Sequence, residues 1–307
     1  MIEEKIVVGK GTEYPLNGIL TLPDSAKKAV QEPIPAVVLV HGSGPQNRDE
    51  KIGKVTPFKD IAEALAVKGI AVLRYDKRTK IYGRKMVKNA ADITVKTETI
   101  DDAILATEIL RSDPRIGTVF ILGHSMGGML APRIDAEGGN YDGIIIAAGS
   151  LRELREILMD QFADLHDTYK GLLRLIAHRQ IAKISENLVA IDSLTEDEAK
   201  EKKVIGSTRA YYFKEMEAHP ASLYLERTDK PVFVFQGDKD FQVYPSKDFE
   251  GYKRLLEDRP NAKLKLYPGI NHVLTDSHKT GTQKDYNVPG TVASEITDDI
   301  AEWIWSI

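Results

Sequence analysis

Residues 119–130 read VFILGHSMGGML, and this short stretch decides the fold. An apolar run ends at Gly123, a serine follows His124, and two glycines precede another apolar segment. The stretch matches the pattern G-x-S-x-G in the setting that the pattern requires, with a strand before it and a helix after it. Glycines two positions before and after Ser125 relieve crowding in a sharp turn and leave the serine hydroxyl exposed. An ordinary glycine-rich turn is the alternative, but the strand–turn–helix setting favours Ser125 as a nucleophile.

Short β-rich runs alternate with helical patterns in the rest of the chain, which is typical of strand–helix–strand units around a mostly parallel sheet. Eight runs are predicted as strands: EKIVVG, GILTLP, PAVVLVH, GIAVLRY, TVFILGH, GIIIAAG, PVFVFQG and KLKLYPG. Several are solid apolar runs, as expected of strands that helices cover on both faces. The first two are predicted to pair as an antiparallel edge. Helices are predicted through residues 56–69, 100–112 and 291–307.

The segment between the sixth and seventh strands, residues 151–230, does not follow this alternation. It contains a capping box at Thr195–Glu198 and apolar side chains at helical spacing: Leu151, Leu154 and Leu158, then Leu172, Leu175 and Ile176. The segment is too long for a loop and is predicted to lack strands of its own. We therefore expect a core of residues 1–150 and 231–307, with residues 151–230 forming a helical cap over one end of the sheet.

A serine nucleophile needs a base, and the base needs a carboxylate that orients it. If Ser125 is the nucleophile, an acid and then a histidine should follow at the ends of later strands. The seventh predicted strand leads into residues 237–240 (GDKD), where Asp238 and Asp240 compete. Aspartate at the position of Asp238 is often a turn former, so Asp240 is favoured. Of the seven histidines in the chain, only His272 directly follows the last strand after the acid loop.

Acyl transfer also requires donors for the oxyanion, usually backbone N–H groups. The amide of Met126 follows the nucleophile and opens a helix, so it is one predicted donor. The loop after the third strand reads HGSGP at residues 41–45, and its glycines allow the backbone to approach the reacting carbonyl. We assign the second donor to the Ser43 N–H. His41 is interpreted as a structural residue that supports this loop.

Two further groups of residues near the predicted catalytic edge have alternative interpretations. Side chains close to the end of the cap are candidates to line an acyl pocket, although they would equally serve to attach the cap to the body: Tyr211, Tyr212, Phe213 and Met216. Residues 48–50 and 74–78 are rich in charge. For these two clusters, ion-pair networks that shape the loops are favoured over substrate binding.

Composition excludes several classes of function. The chain has 307 residues and a formal net charge of -4, which gives no electrostatic reason to expect nucleic acid or an anionic membrane as a partner. The absence of cysteine excludes disulfides, thiolate metal sites and a cysteine nucleophile. The first residues lack the apolar core of a signal peptide, and no apolar stretch approaches the roughly 20 residues that cross a bilayer. A cytoplasmic protein without a metal site is expected.

The chain resembles the α/β-hydrolase superfamily over nearly its whole length, and within it a bacterial carboxylesterase branch. The motifs that carry the resemblance are HGSGPQNRDE, VLRYDKR, GHSMGGMLAPRI, GDKDFQV and YPGINHVL. The resemblance implies an eight-stranded sheet, Ser125 as nucleophile with Asp240 and His272 as partners, and no cofactor. The chain departs from the branch at Thr79, where glycine is usual, and at Val273 and Leu274, where leucine and phenylalanine are frequent, but none of these positions belongs to the triad.

Together these inferences predict a serine carboxylesterase that acts on a small-molecule ester. A thioesterase or acyltransferase could use the same triad, but no basic cluster stands out that would hold a phosphorylated acyl carrier. Related peptidases usually carry an extra domain, for which the sequence before the first strands leaves no room. A ligand-binding protein that has lost catalysis is disfavoured because serine, aspartate and histidine are all present. A homodimer is compatible with the sequence, which does not determine the oligomeric state.

Overall fold

A computed structural model describes residues 1–27, 32–168, 171–277 and 281–307, except the side chains of residues 27, 165–168 and 171–176. Leu172, Leu175 and Ile176, which were predicted to form an amphipathic stretch, lie outside the described side chains. The main sheet has eight strands: β1 (Ile2–Val8), β2 (Leu16–Leu22), β3 (Ile34–Val40), β4 (Ala71–Tyr75), β5 (Ile116–His124), β6 (Gly143–Ala147), β9 (Val232–Gly237) and β10 (Ala262–Tyr267). These correspond to the eight predicted runs, and the prediction is confirmed.

The strands lie in the order β1-β2-β4-β3-β5-β6-β9-β10. Strand β2 pairs antiparallel with β1 and β4, so the predicted antiparallel edge is confirmed, and the remaining pairs are parallel. Because β3, β5, β6, β9 and β10 run in the same direction, the loops that follow them open at one edge of the sheet. The carboxyl ends of these strands therefore define where a site can form.

Helices cover both faces of the sheet, as predicted. The α-helices are α1 (Pro57–Val67), α2 (Arg78–Met86), α3 (Asp101–Arg111), α4 (Met126–Ile134), α5 (Leu154–Thr168), α6 (Gly171–Val189), α7 (Glu196–Glu201), α8 (Ala210–Glu217), α9 (Ala221–Leu225), α10 (Asp248–Leu256) and α11 (Ser294–Trp305). Short 3₁₀ or π turns occupy Asp24–Lys27, Val87–Asp92, Lys96–Ile100, Asp135–Gly139, Ala190–Ser193 and Gln283–Asn287. Helices α1, α3 and α11 correspond to the three helices predicted from the sequence.

The core lies on both sides of β3, which is buried on both faces. Val37 and Leu39 belong to an apolar cluster with α1 and α11, and Val38 and Val40 belong to a second cluster with α3 and α4. All four side chains are 0% exposed, and burial of each stabilises the fold by about 2 kcal/mol. This anchoring fixes the carboxyl end of β3, from which the HGSGP loop begins.

Residues 151–230 contribute α5 to α9 between β6 and β9, together with a short antiparallel hairpin, β7 (Lys203–Ile205) and β8 (Thr208–Arg209). The prediction that this segment lacks strands is therefore wrong. The two-residue connection is Gly206–Ser207, and Gly206 adopts a φ of +57°, which suits a tight hairpin turn. The predicted capping box is confirmed, because the Thr195 side chain accepts from the Glu198 N–H and the Glu198 carboxylate accepts from the Thr195 N–H.

Candidate active site

Ser125 lies in the turn between β5 and α4, with φ of 54° and ψ of -120°. A non-glycine residue rarely adopts positive φ, and such a conformation costs on the order of 1–3 kcal/mol unless the surroundings enforce it. Backbone hydrogen bonds hold it here: Ser125 N donates to Ala147 O at 2.8 Å, and Gly128 N donates to Ser125 O at 2.9 Å. The strained turn is therefore built into the junction of β5, β6 and α4.

The glycines around Ser125 are required by close backbone contacts. A Cβ atom on Gly123 would lie 2.1 Å from Gly127 O, and a Cβ on Gly127 would lie 2.2 Å from Val40 O. Both distances are far below van der Waals contact, and backbone oxygens cannot move aside as a flexible side chain can. The G-x-S-x-G spacing thus lets β5 and α4 pack directly against the end of β3.

The structure brings His272 and Asp240 together. His272 Nδ1 lies 2.8 Å from Asp240 Oδ2, and both side chains are buried. The Asp240 carboxylate also accepts from Gln242 N at 2.9 Å, Val243 N at 3.0 Å and Gln236 Nε2 at 3.0 Å. These donors fix the carboxylate, so it holds the His272 ring in one orientation with Nε2 on the far side.

Asp238 does not take part in this pair. Its side chain accepts from the Gly269 N–H at 2.6 Å and lies 3.2 Å from Lys239 Nζ, and it is 31% exposed. These contacts tie the loop after β9 to the loop after β10. Asp238 is therefore a turn residue, and of the two competing carboxylates Asp240 is the one that contacts His272.

A second histidine, His124, contacts His272, and the Glu50 carboxylate lies next to His124. His124 Nε2 lies 2.9 Å from the His272 backbone oxygen, and the two rings pack with their centroids 4.9 Å apart. His124 Nδ1 lies 3.0 Å from Glu50 Oε2, and both side chains are almost fully buried. No local pattern indicates the contact between His124 and His272, because the two residues are 148 positions apart in the chain.

His124 Nε2 faces the carbonyl oxygen of His272 and therefore donates to it, whereas Nδ1 lies 3.0 Å from Glu50 Oε2 without the alignment of a hydrogen bond. Burial opposes the charged ring, but the nearby Glu50 carboxylate outweighs burial and raises the pKa of His124 above its ordinary value. Burial likewise opposes the Glu50 charge, yet His124 lowers the pKa of Glu50. Each of the two buried side chains therefore favours the charged form of the other.

The HGSGP loop lies against the nucleophile. A Cβ on Gly42 would lie 3.1 Å from Ser125 Cβ, so the loop backbone passes within contact distance of the serine. The Ser43 N–H donates to no protein acceptor among the described residues. Met126 is the first residue of α4, and first-turn N–H groups have no partner within their own helix. Neither Ser43 N–H nor Met126 N–H thus has an acceptor among the described residues, and their role as oxyanion donors stays a prediction.

The buried ring of His41 supports the same HGSGP loop through packing and one hydrogen bond. Its ring packs on Phe58 and Tyr75, with centroids 5.1 and 5.4 Å away, and its Nε2 lies 3.1 Å from Asn47 O. Burial lowers the pKa of His41 to about 4. The ring is thus neutral near pH 7 and donates to Asn47 O, as the structural interpretation requires.

A cavity of about 400 Å³ opens beside Ser43 and Met126. Three parts of the chain line it: the HGSGP loop, the segment after β4, and the cap. The segment after β4 contributes Thr79, Gly83, Met86, Val87, Ala90, Ile93 and Glu98, and the cap contributes Leu154, Leu158, Ile205, Ser207, Thr208, Arg209, Tyr212 and Phe213. Most of these side chains are apolar, and the size suits a small acyl group.

Of the four candidate pocket residues, Tyr212 and Phe213 line this cavity. The cavity lining, as far as the described residues define it, does not include Tyr211 or Met216. The Tyr211 ring lies under Lys200 Nζ at 4.8 Å, and Met216 is buried in the core. These different placements follow from helical geometry, since α8 turns only some of its side chains toward the cavity.

The segment after β4 was missed as part of the pocket. It forms α2 and the 3₁₀ turn Val87–Asp92, and it faces the cap across the cavity. A signal was present, because Met86, Ala90 and Ile93 recur at the three- and four-residue spacing of one helix face.

The charged clusters form ion pairs, which confirms the interpretation from the sequence. The pairs are Arg48–Asp76 at 2.7 Å, Arg74–Glu3 at 2.7 Å, Arg74–Asp49 at 3.0 Å, Lys77–Glu98 at 3.5 Å and Arg78–Asp102 with Nε 3.0 Å from Oδ2. They join the loops after β3 and β4 to each other and to the start of α3. Apart from Glu98, none of these residues lines the cavity described above.

Within the described residues, no group of three or more histidine or acidic side chains is arranged to hold a metal ion. None of the helices in the described part of the chain is long and apolar enough to cross a membrane.

Comparison with known proteins finds similarity to serine hydrolases and esterases. The family model described as serine aminopeptidase, S33, matches residues 31–277. The Esterase EstD of Thermotoga maritima is 35% identical over 303 residues, which are 98% of this chain and 67% of that protein. Among solved structures, Est1E from Butyrivibrio proteoclasticus has a TM-score of 0.60 at 16% identity and covers 98% of each chain. A Pyrococcus furiosus esterase has a TM-score of 0.58 at 16% identity, covering 99% of this chain and 91% of the other.

A mostly parallel eight-stranded sheet with a strained serine turn after its fifth strand defines the α/β-hydrolase class. The chain belongs to the S33 serine aminopeptidase family within that class. It is a serine hydrolase, and the resemblance to the carboxylesterase branch is confirmed.

Proposed function

We propose that this protein hydrolyses carboxylic esters through an acyl-enzyme formed on Ser125. The contact that carries the proposal is the 2.8 Å pair of His272 and Asp240 at the same sheet edge as the serine turn. Ser125 Oγ makes no hydrogen bond with the other described residues, so the contact between Ser125 and His272 is part of the proposal. Such contacts often tighten only when substrate binds.

In the proposed reaction, Ser125 Oγ attacks the ester carbonyl while His272 Nε2 takes the hydroxyl proton. Asp240 keeps the proton on Nδ1 and stabilises the imidazolium that forms. The carbonyl oxygen becomes an oxyanion, which accepts from the Ser43 and Met126 N–H groups. His272 then returns the proton to the leaving alkoxide, and the acyl group stays on Ser125.

In the second half of the reaction, His272 takes a proton from a water molecule, which attacks the acyl-enzyme carbonyl. A second oxyanion forms in the same place and collapses with Ser125 Oγ as the leaving group. The carboxylic acid is released and the serine regains its proton from His272. Both halves need the same donors, so a single oxyanion site serves the whole cycle.

The cavity favours an ester with an apolar acyl group. An aminopeptidase, the activity that gives the family its name, needs a free carboxylate for the α-amino group of its substrate. The acidic side chain in the described cavity lining is Glu98, and Lys77, Thr79 and Tyr212 already contact it. Its charge is compensated within the protein, so it offers little to an incoming ammonium.

The cap has a proposed part in specificity. The cap side of the cavity is lined by Leu154 and Leu158 of α5 and by Phe213 of α8. We propose that residues 151–230 act as a unit that shields the oxyanion from water and limits the length of the acyl group. A cytoplasmic location stays a prediction that cell fractionation would test. Homodimer formation stays a prediction that light scattering would test.

The test uses p-nitrophenyl esters of increasing acyl length with the wild-type protein and the variant Ser125→Ala. Wild type should turn over the short esters, and leucine p-nitroanilide should be a poor substrate. The alanine variant should lose several orders of magnitude in kcat and all labelling by a fluorophosphonate. An alanine variant that keeps more than about a tenth of ester turnover would exclude Ser125 as the nucleophile.

A further inference from the structure

The peptide between Gly42 and Ser43 is held by a buried lysine. The Gly42 carbonyl accepts from Lys77 Nζ at 2.9 Å, and the peptide is trans. In a planar trans peptide, the C=O and N–H bonds point in opposite directions. A cation that fixes the Gly42 carbonyl therefore also fixes the direction of the Ser43 N–H, which is the second oxyanion donor of the proposed function.

Lys77 is itself held in place from the other side. Its side chain is 2% exposed, and Nζ lies 3.5 Å from Glu98 Oε1. Glu98 in turn accepts from Thr79 Oγ1 at 2.9 Å and from the Tyr212 hydroxyl at 2.6 Å. Burying an ammonium and a carboxylate is costly unless both find partners. The triad uses neither charge, so the fold maintains this pair for another reason.

Gly42 would otherwise be a weak point of the loop, because glycine allows the peptides on both sides to rotate. The peptide before it is fixed as well, since Gly42 N donates to Glu50 Oε1 at 3.0 Å. Glu50 is the partner of His124, which supports His272. Glu50 thus holds the peptide before Gly42 through its N–H, and Lys77 holds the peptide after Gly42 through its carbonyl.

We propose that Lys77 is a positioning residue for the oxyanion hole. Its ammonium keeps the Gly42 carbonyl turned away from Ser125 and the Ser43 N–H turned toward the reacting oxygen. It also withdraws electron density from the Gly42 carbonyl, which makes the Ser43 N–H a stronger donor. Without it, the peptide can rotate at Gly42 and present a carbonyl dipole to the oxyanion.

The effect should appear only where negative charge develops on the substrate oxygen. Loss of one oxyanion donor costs about 10²–10³-fold in kcat in hydrolases of this kind. Substrate binding in the ground state does not use that donor, so KM should change little. A structural role of Lys77 alone would lower stability without this separation of kcat from KM.

The experiment compares two matched double variants. Lys77→Met with Glu98→Gln removes the ammonium without leaving an unpaired buried carboxylate. Arg78→Met with Asp102→Asn removes the neighbouring ion pair, whose residues contact neither Gly42 nor the cavity. For each, kcat and KM on p-nitrophenyl acetate, the melting temperature and the inhibition constant of a trifluoromethyl ketone are measured. The ketone forms a tetrahedral oxyanion on the nucleophile and so reports the oxyanion hole directly.

For the Lys77 double variant we expect about a 100-fold loss of kcat, KM within threefold, and a parallel rise in the inhibition constant. The Arg78 double variant should stay within threefold of wild type in kcat, in KM and in the inhibition constant. The single variant Lys77→Arg keeps a donor for the Gly42 carbonyl and should recover at least about a tenth of wild-type kcat. If the double variant does not fold, Lys77→Gln decides by the same three constants.

Two results would overturn the inference. One is an unchanged inhibition constant in the Lys77 variant, and the other is an equal loss of kcat in the Arg78 control. The inference rests on the proposed function, and the two fail differently. Wild-type protein without ester turnover refutes ester hydrolysis and the inference together, whereas an active wild type with an equally active Lys77 variant refutes only the inference.

Discussion

Gly127 offers the sharpest test of how the serine turn is built. In the substitution Gly127→Ala the new Cβ would lie 2.2 Å from Val40 O and 2.7 Å from His41 O. An ordinary contact is at least about 3.4 Å, so the end of β3 and the start of α4 would have to separate by about 1 Å. Val40 and His41 lead directly into the Gly42–Ser43 peptide, and this movement would displace that peptide from the oxyanion.

A displacement of this size is expected to lower kcat/KM by about 100-fold, since about 1 Å of misplacement can cost that much. Overpacking of a buried contact should also lower the free energy of unfolding by about 1–3 kcal/mol. The assay is steady-state hydrolysis of p-nitrophenyl acetate together with urea unfolding of the same preparations.

The matched control is Gly251→Ala in α10. A Cβ there meets nothing closer than 3.9 Å, and the residue lies inside the helix. Alanine should stabilise that helix by roughly 0.5–1 kcal/mol and leave turnover unchanged. If Gly127→Ala stays within threefold of wild type in kcat/KM and unfolds like wild type, then the close approach of α4 to β3 does not determine the geometry of the site.

Three further predictions follow from single contacts. Asp240→Asn should lower kcat about 10⁴-fold and Asp238→Asn less than tenfold. If Asp238→Asn caused the larger loss of kcat, Asp238 would be the acid of the triad. Phe213→Ala should shift the preferred acyl length of p-nitrophenyl esters toward longer chains, whereas Met216→Ala should cost about 2–5 kcal/mol in urea unfolding and leave that preference unchanged. The pKa of His41 falls from its unfolded value of 6.5 to about 4, so its contribution to the free energy of unfolding is complete above pH 6.5 and falls by about 3 kcal/mol as the pH drops to 4. In the variant His41→Gln, the free energy of unfolding should therefore depend less on pH between 6.5 and 4. An unchanged pH dependence would contradict the assignment.

The sheet could be predicted because its signal is local. Several of the eight strands are short apolar runs that end at glycine, proline or a polar residue, and such runs need helices on both faces. Strand order in the chain then placed the serine, the acid and the histidine at one edge. The choice of Asp240 over Asp238 also followed from a local pattern, the distance of each residue from the end of the seventh strand.

The remaining parts depend on contacts that no local pattern records. The β7–β8 hairpin has strands of three and two residues, which are too short for a visible alternation. The contact of Lys77 with the Gly42 carbonyl spans 35 residues, and its partner Glu98 lies on a third segment. Charge in the sequence indicated that networks exist there, but only the packed loops show which peptide a given ammonium holds.

The hydrogen-bonding distance between His124 and the His272 backbone has a consequence for how the enzyme is made. Ser125 and its neighbour His124 are synthesised before the rest of the site, because the His272 carbonyl that His124 contacts lies 148 residues later in the chain. Strand β10, which leads into His272, joins the sheet only by pairing with β9 at the outer edge. If His272 is the base of the proposed reaction, a nascent chain carries Ser125 without that base until β10 pairs with β9, and it should not hydrolyse esters before then.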